Sequence, residues 1–316
     1  MPVASFLSRL MPAVITLRGT KRTFSSARRT AKRVAYLTDH PARFAPPKSI
    51  GRRVSVALTV DDGWPLYVLS PRGGAPGAPG TGGTADSAGS AGSQQVLYLH
   101  GGSWIGEIGA TQWSFAAALV EQSGATVTVP IYPVAPVGTA TEVTARVADL
   151  VERLHAEPTR VSLVGDSAGG TVVLATALEL LRRGVRPLAV LVLVAPGLDL
   201  TFSDPRAADL ESADPFLAAP GLRYAASLWA GGLSLDDARV SPLFASPADL
   251  SGLGPVTVFT GTRDILNPDA HRFTERARAA GVPVTLHEAE GMLHNYPVFP
   301  IPEGRAALAQ IAALLR

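Results

Sequence analysis

Gly165-Asp166-Ser167-Ala168-Gly169-Gly170 is where chemistry is easiest to write in this chain. The pattern is G-x-S-x-G, set between an apolar run (Val161-Ser-Leu-Val164) and a helix-like stretch. A sharp strand-to-helix turn there forces the serine into a strained backbone conformation with its hydroxyl exposed. Glycines on either side let neighbouring backbone pack close. A helix beginning at Ala168 points its positive end at the hydroxyl and places the Ala168 N–H to bind an oxyanion. The chemistry implied is acyl transfer to Ser167, provided a base is within reach.

An unassisted serine is a poor nucleophile near neutral pH, so a histidine and a carboxylate must be found. The run 256–260 leads into Gly261-Thr-Arg-Asp264-Ile-Leu-Asn-Pro268, which puts Asp264 just past a strand. The run 284–288 leads into Gly291-Met-Leu-His294-Asn-Tyr296, which puts His294 in the loop beyond. The chain order Ser, Asp, His suits a parallel sheet carrying such a serine. His294 would take the proton of Ser167 and return it to the leaving group, and Asp264 would fix its tautomer. The rivals fit less well. Asp166 is too close to Ser167 to reach the far side of the ring, and is read, with His100 and Ser103, as supporting the motif. Asp269 starts a helix after Pro268, His287 lies within a strand, His271 in a helix, and His155 and His40 far from any such strand end. An apparent pKa of about 6–7 in the activity profile follows from a histidine base.

His100-Gly101-Gly102-Ser103-Trp104 follows another apolar run. Consecutive small residues let backbone N–H groups converge on a small anion. Gly101 and Gly102 are the expected donors, joined by Ala168. His100 is read as structural, its ring bonding to hold the loop, and Trp104 as a wall of the substrate pocket.

The elements that must position these groups are legible as alternation. Strands are expected over 53–60, 64–69, 95–100, 125–131, 160–165, 188–195, 256–260 and 284–288. Asp61-Asp62-Gly63 reads as a hairpin between the first two. Helices are expected over 26–37, 111–123, 139–156, 168–183, 269–280 and 302–316, several closed by glycine. Further helices fall in the irregular stretch 197–254. Alternating strands and helices give a mostly parallel sheet covered on both faces, with the site at the carboxyl ends of the strands. Residues 73–93, rich in Gly, Ala, Ser, Thr and Pro, read as a flexible surface loop.

Composition narrows the classes. Nearly half of the 316 residues are hydrophobic (47%), enough for a sizeable core. No apolar run reaches the roughly 18 residues of a membrane span. There is no cysteine, which excludes disulfides, thiolate metal sites and cysteine nucleophiles. The net charge of +2 hides an asymmetry: residues 1–53 carry twelve Lys or Arg and one acid, a balance of +11, leaving −9 for the rest. That basic segment reads first as an Arg-rich helical cover, then as a contact for an anionic membrane. No nucleic-acid motif accompanies it. The N-terminus reads as mature protein, since Arg9 interrupts the apolar stretch and no A-x-A-like site follows. The expected location is cytoplasmic, with membrane association through the basic segment as an option and a homodimer left open.

Taken together, HGGSW at 100–104, GDSAGG at 165–170, SPLFA at 241–245, GTRDIL at 261–266 and GMLHNY at 291–296 resemble the hormone-sensitive-lipase-like esterases of the α/β-hydrolase fold. The resemblance runs from about residue 50 to the end. It implies an eight-stranded, mostly parallel sheet flanked by helices, a catalytic domain over 46–316, and an N-terminal helical cap over 1–45. It also implies a pocket framed by stretches such as Asp214-Pro-Phe216 and Ser241-Pro-Leu243, with Tyr296 near the histidine. Such enzymes cleave short- to medium-chain acyl esters without metal or cofactor. The apolar residues Phe6, Leu7, Leu10, Val14 and Ile15 of the cap would favour an apolar ester or lactone. One departure is Ser103, where the family usually has a third glycine. A lactonase, deacetylase, thioesterase or peptidase would use the same triad. A non-catalytic receptor on this fold would lack the histidine that is present here.

Overall fold

The computed structural model describes residues 5–73, 94–154, 160–185 and 188–316. Three helices come first: α1 (Phe6–Arg18), α2 (Thr20–Phe24) and α3 (Ala27–Asp39). The chain continues through β1 (Ser55–Asp61), β2 (Trp64–Ser70), β3 (Gln94–Leu99), α4 (Ala110–Ser123), β4 (Thr126–Pro130), α5 (Ala140–Leu154), β5 (Arg160–Asp166) and α6 (Ala168–Arg182). It ends with β6 (Leu191–Val194), α7 (Pro205–Glu211), α8 (Ala219–Trp229), α9 (Pro247–Leu250), β7 (Val256–Gly261), α10 (Asn267–Ala279), β8 (Val284–Ala289) and α11 (Pro302–Leu314). All eight expected strands are present. The loop expected over 73–93 lies, Gly73 apart, outside the described residues, as does His155.

The strands form one sheet in the order β1-β2-β4-β3-β5-β6-β7-β8. β1 and β2 form the expected hairpin, with Asp62 and Gly63 both at positive φ (44° and 86°). That pair of left-handed residues twists the turn to match the strands. β2 runs antiparallel to β4, and every later pairing is parallel. The inner strands are apolar on both faces because helices cover both. β6, Leu191-Val-Leu-Val194, is wholly buried, whereas β1 at the edge leaves Leu58 and Val60 exposed.

Two apolar layers result. One packs α5, α6, α10 and α8 on one face around Val147, Leu174, Phe273 and Trp229. The other packs α4 and α11 on the opposite face around Trp113, Leu119 and Ile311. From β3 the chain steps outward to β4, then crosses back through α5 to β5. The connections that leave the parallel neighbours β3 and β5 therefore run in opposite directions along the sheet, and a crevice opens beyond their carboxyl ends, where doubly wound sheets bind ligands.

The N-terminal helices divide between two supports. α3 buries Thr30 and Val34 against α8, which lies between β6 and β7 in the chain. Gly221 of α8 allows the approach, since a Cβ there would collide with the backbone of Phe24. Lys21 donates to the carbonyl oxygens of Glu211 and Asp214, tying α2 to the α7–α8 connection. α1 instead rests on α11: Ser5 N–H and Oγ donate to the Glu303 carboxylate (2.6 and 2.9 Å), and Ser8 Oγ does the same. Phe6, Leu7, Leu10 and Val14, expected to line a substrate cover, point to solvent instead, and only Ile15 of that set is buried.

Candidate active site

The nucleophile elbow is built as its sequence requires. Ser167 stands between β5 and α6, as the N-cap of the helix, with φ 54° and ψ −120°. This is a region that residues with a Cβ rarely occupy, at a cost of about 1–3 kcal/mol unless the surroundings hold it. They do: the Ser167 N–H donates to the Val194 carbonyl (2.8 Å), and its own carbonyl accepts from Gly170 (2.9 Å). At Gly169 a Cβ would strike the carbonyl oxygen of Leu99, so helix α6 sits hard against the end of β3.

Ser167, His294 and Asp264 meet at the carboxyl ends of β5, β8 and β7. Ser167 Oγ lies 3.0 Å from His294 Nε2, and His294 Nδ1 lies 2.8 Å from Asp264 Oδ2. Asp264 can only accept when ionised, so Nδ1 carries the proton and Nε2 is free to receive the serine hydroxyl proton. All three side chains are buried. The other Asp264 oxygen accepts from the Leu266 N–H (2.9 Å). The two loops that bring Asp264 and His294 together are bonded to each other: Arg263 N–H to Met292 carbonyl (3.0 Å) and Gly291 N–H to Thr262 Oγ1 (2.8 Å).

Electrostatics around the imidazole are lopsided. Burial alone pulls the His294 pKa down, but the Asp264 carboxylate, by charge and hydrogen bond, and then Asp214 and Asp166 outweigh it, and the net shift is upward. Asp214 is itself pushed up to about 6, by burial and then by repulsion from Asp264. Its oxygens accept from the N–H groups of Phe216 (2.7 Å), Leu217 (3.0 Å) and Ile265 (3.1 Å), the last adjoining Asp264. Asp214 thus links the α7–α8 connection to the acid loop.

The loop after β3 corrects one expectation. The Gly101 N–H is spent on Asp166 Oδ1 at 2.9 Å, so Gly101 is not a free donor. Among the described residues the N–H groups of Gly102, Ser103 and Ala168 have no acceptor. The loop turns back through Gly102 (φ 148°), Ser103 (φ 53°) and Trp104 (φ 61°), a shape that aims successive N–H groups to one side. Gly101 is needed for contact: a Cβ there would lie 2.5 Å from Asp166 Oδ2 and 2.9 Å from Ser167 Cβ. His100 holds the loop as expected, with Nδ1 2.9 Å from the Gly101 carbonyl and its ring stacked on Tyr132. Burial lowers its pKa, consistent with a neutral ring.

Asp166, read from the sequence only as supporting the motif, holds a network that the sequence did not show. Wholly buried, it accepts from Tyr98 Oη (2.5 Å), Gly101 N–H, Gln112 Nε2 (2.9 Å) and Asn295 Nδ2 (2.8 Å). It therefore clamps the donor loop on one side and the residue after His294 on the other. The only local signal was its place beside Ser167; Gln112 and Tyr98 carried none.

The expected pocket residues separate. Phe216 lies edge-on to His294 (6.1 Å between centroids) and stacks on Phe299 (5.7 Å), so it borders the site. Trp104 is buried, with its ring beside Gly197. Leu243 and Tyr296 are buried in the core, one in each layer, and present almost no surface. Asp269 is buried too, accepting the N–H groups of Leu198 and Asp199 (3.0 and 2.9 Å), which leaves it no part in orienting His294. His287 stacks on Phe259, and His271 pairs with Glu288 at the surface.

Comparison with known proteins places this geometry in a family. Residues 96–298 match the model of the alpha/beta hydrolase fold. A Mycobacterium tuberculosis protein assigned as acetyl-hydrolase, LipR, is 30% identical over 309 residues, covering 95% of this chain and 92% of that one. A triacylglycerol lipase of the same organism is 32% identical over 221 residues, or 69% of this chain, although the matched part is 45% of its own length. Among solved structures, an esterase from the bacterial hormone-sensitive lipase family superposes with TM-score 0.79 at 25% identity, covering 100% of this chain and 99% of the other. With one relative and one structure aligned almost end to end, the chain belongs to the alpha/beta hydrolase fold family, among its hormone-sensitive-lipase-like esterases.

Proposed function

We propose that this protein hydrolyses carboxylic esters of short to medium acyl chain through an acyl-enzyme on Ser167. The observation that carries the reading is the unbroken chain Ser167 Oγ–His294 Nε2–His294 Nδ1–Asp264 Oδ2, at 3.0 and 2.8 Å. His294 accepts the hydroxyl proton as Ser167 Oγ bonds to the ester carbonyl carbon, and the carbonyl oxygen becomes an oxyanion. The free N–H groups of Gly102, Ser103 and Ala168 receive that charge, each donor of this kind being worth about 10²–10³ in rate. The imidazolium, stabilised by Asp264, then protonates the departing alkoxide. A water molecule, deprotonated by His294, releases the acid and restores Ser167. Phe216, backed by Phe299, borders the imidazole and gives the acyl or alcohol group an apolar neighbour.

The test pairs labelling with a substrate panel. A fluorophosphonate should add one adduct, at Ser167, and Ser167→Ala should abolish both labelling and turnover, lowering kcat by about 10⁴–10⁶-fold with the fold intact. p-Nitrophenyl esters of increasing chain length should show highest kcat/KM among the shorter chains. Faster turnover of amides, thioesters or lactones than of every ester would redirect the reading within the same triad. An unlabelled Ser167 would overturn it.

A further inference from the structure

Helix α1 is amphipathic in the wrong direction for a helix at the surface of a water-soluble domain. At 100° per residue, Phe6, Leu7, Leu10, Val14 and Leu17 fall within an arc of about 100°. All five are exposed, Phe6 by 75% and Leu17 by 88%. The opposite side carries Ser8 and Ile15, which are buried, and it is this side that is fixed to the protein through Glu303. A contiguous apolar face held outward by a polar anchor is the arrangement of an interaction surface, because leaving it in water forfeits the hydrophobic gain of burial.

Charge identifies the occupant. α2 and α3 follow α1 directly and pack in series with it. On α3, Arg28, Arg29, Lys32 and Arg33 occupy one exposed side with Tyr36, opposite the buried Thr30 and Val34. Among the described residues none of these four, nor Arg9 or Arg22, forms an ion pair. A symmetric pair of copies meeting through α1 would bring two segments of net charge +11 together. A bilayer with anionic headgroups accepts both features at once: the apolar side chains enter the interface and the basic ones meet the headgroups.

We propose that the N-terminal segment docks on an anionic lipid surface, with the outer face of α1 inserted and the basic side of α3 in electrostatic contact. This inference stands apart from the reaction assigned to Ser167, since no triad residue contributes to it.

Cosedimentation of the full chain with vesicles tests it, using phosphatidylcholine alone and phosphatidylcholine with a third of phosphatidylglycerol. Affinity for the anionic vesicles should be roughly tenfold higher or more, and should fall with salt. Phe6→Ser with Leu10→Ser and Leu17→Ser should remove binding while leaving the melting temperature and the circular dichroism spectrum unchanged. Arg28→Gln with Arg29→Gln, Lys32→Gln and Arg33→Gln should reduce binding to the level seen with phosphatidylcholine. Equal binding to both vesicle types, no binding to either, or binding indifferent to the α1 substitutions would overturn the proposal. So would a dimer in sedimentation equilibrium that the α1 substitutions dissociate, since a second copy would then be the occupant.

Discussion

Replacing Asp166 by Asn changes one oxygen for an amide group at the point where two loops are tied together. In the native protein Oδ1 accepts from Tyr98 and Gly101, and Oδ2 from Gln112 and Asn295. Asn can keep the first pair, but its NH₂ then faces two other amide NH₂ groups, and both bonds are lost. Hydrogen bonds to a charged group contribute about 1.5–3 kcal/mol each, so the gross loss is about 3–6 kcal/mol. Part of it is offset because a charge is no longer buried, which leaves a net destabilisation of about 3 kcal/mol. For a domain of this size Tm should fall by roughly 4–5 °C, read by calorimetry. Activity should fall further than stability explains. Asn295 adjoins His294, and Gly101 adjoins the free N–H of Gly102, so a loosened clamp misplaces the base and a donor together. We expect kcat on a short soluble ester to drop about 10²-fold, the scale of one lost oxyanion donor, with KM changed little. The Asp166 charge also helps to hold the His294 proton, so the acid limb of the pH profile should move down. A kcat within about threefold of wild type with an unmoved acid limb would refute the clamp.

The remaining predictions concern single groups around the site. Because only neutral imidazole can accept the Ser167 proton and the His294 pKa is raised, kcat/KM should fall as pH drops through a limb above 6.5, and Asp214→Asn should move that limb down by removing one of the carboxylates that raise it; an unchanged limb in a folded variant would count against this. Gly101→Ala should lower both stability, by about 2 kcal/mol or more, and kcat, because its methyl group meets Asp166 Oδ2 at 2.5 Å and Ser167 Cβ at 2.9 Å; a well-folded, fully active variant would show that the loop can move away. Asp269, raised to about 7 by burial, keeps its proton in the folded protein where the unfolded chain has already released it. Its contribution is complete below the unfolded value and declines as pH rises to about 7, at about 1.4 kcal/mol per unit. Asp269→Asn should therefore flatten the loss of stability between pH 4 and 7 in denaturant titrations, and a parallel dependence would reject the assignment.

Strand positions were legible because each strand is a short apolar run closed by a turn residue, and the alternation with helices dictated a parallel sheet. Boundaries moved where local rules were permissive. α10 begins at Asn267 rather than 269, since Pro268 is tolerated in a first turn. β6 covers Leu191–Val194 rather than the whole apolar run from 188, because β7 pairs with it only over those four residues. α1 misled in a different way. Its composition announced an apolar face, but periodicity cannot say whether that face turns inward; two serines reaching Glu303, nearly 300 residues away in the chain, decided that it turns out.

The site divides along the same line. Ser167, Asp264 and His294 each follow a strand, so strand order alone placed them on one rim. Which N–H groups stay free was not a local property. The letters His100-Gly-Gly-Ser103 offer several donors in sequence, and the register is set by a carboxylate 65 residues further on that occupies the first of them. Asp166 reads as a supporting residue of the elbow motif, and only packing shows Tyr98, Gly101, Gln112 and Asn295 converging on it. A single acceptor shared by four segments carries no periodicity and no spacing rule. It does fix the distance between the donor loop and the base loop, and acyl transfer depends on that distance. The elbow motif therefore specifies which atom attacks, and the buried network through Asp166 specifies where the developing charge must sit relative to it.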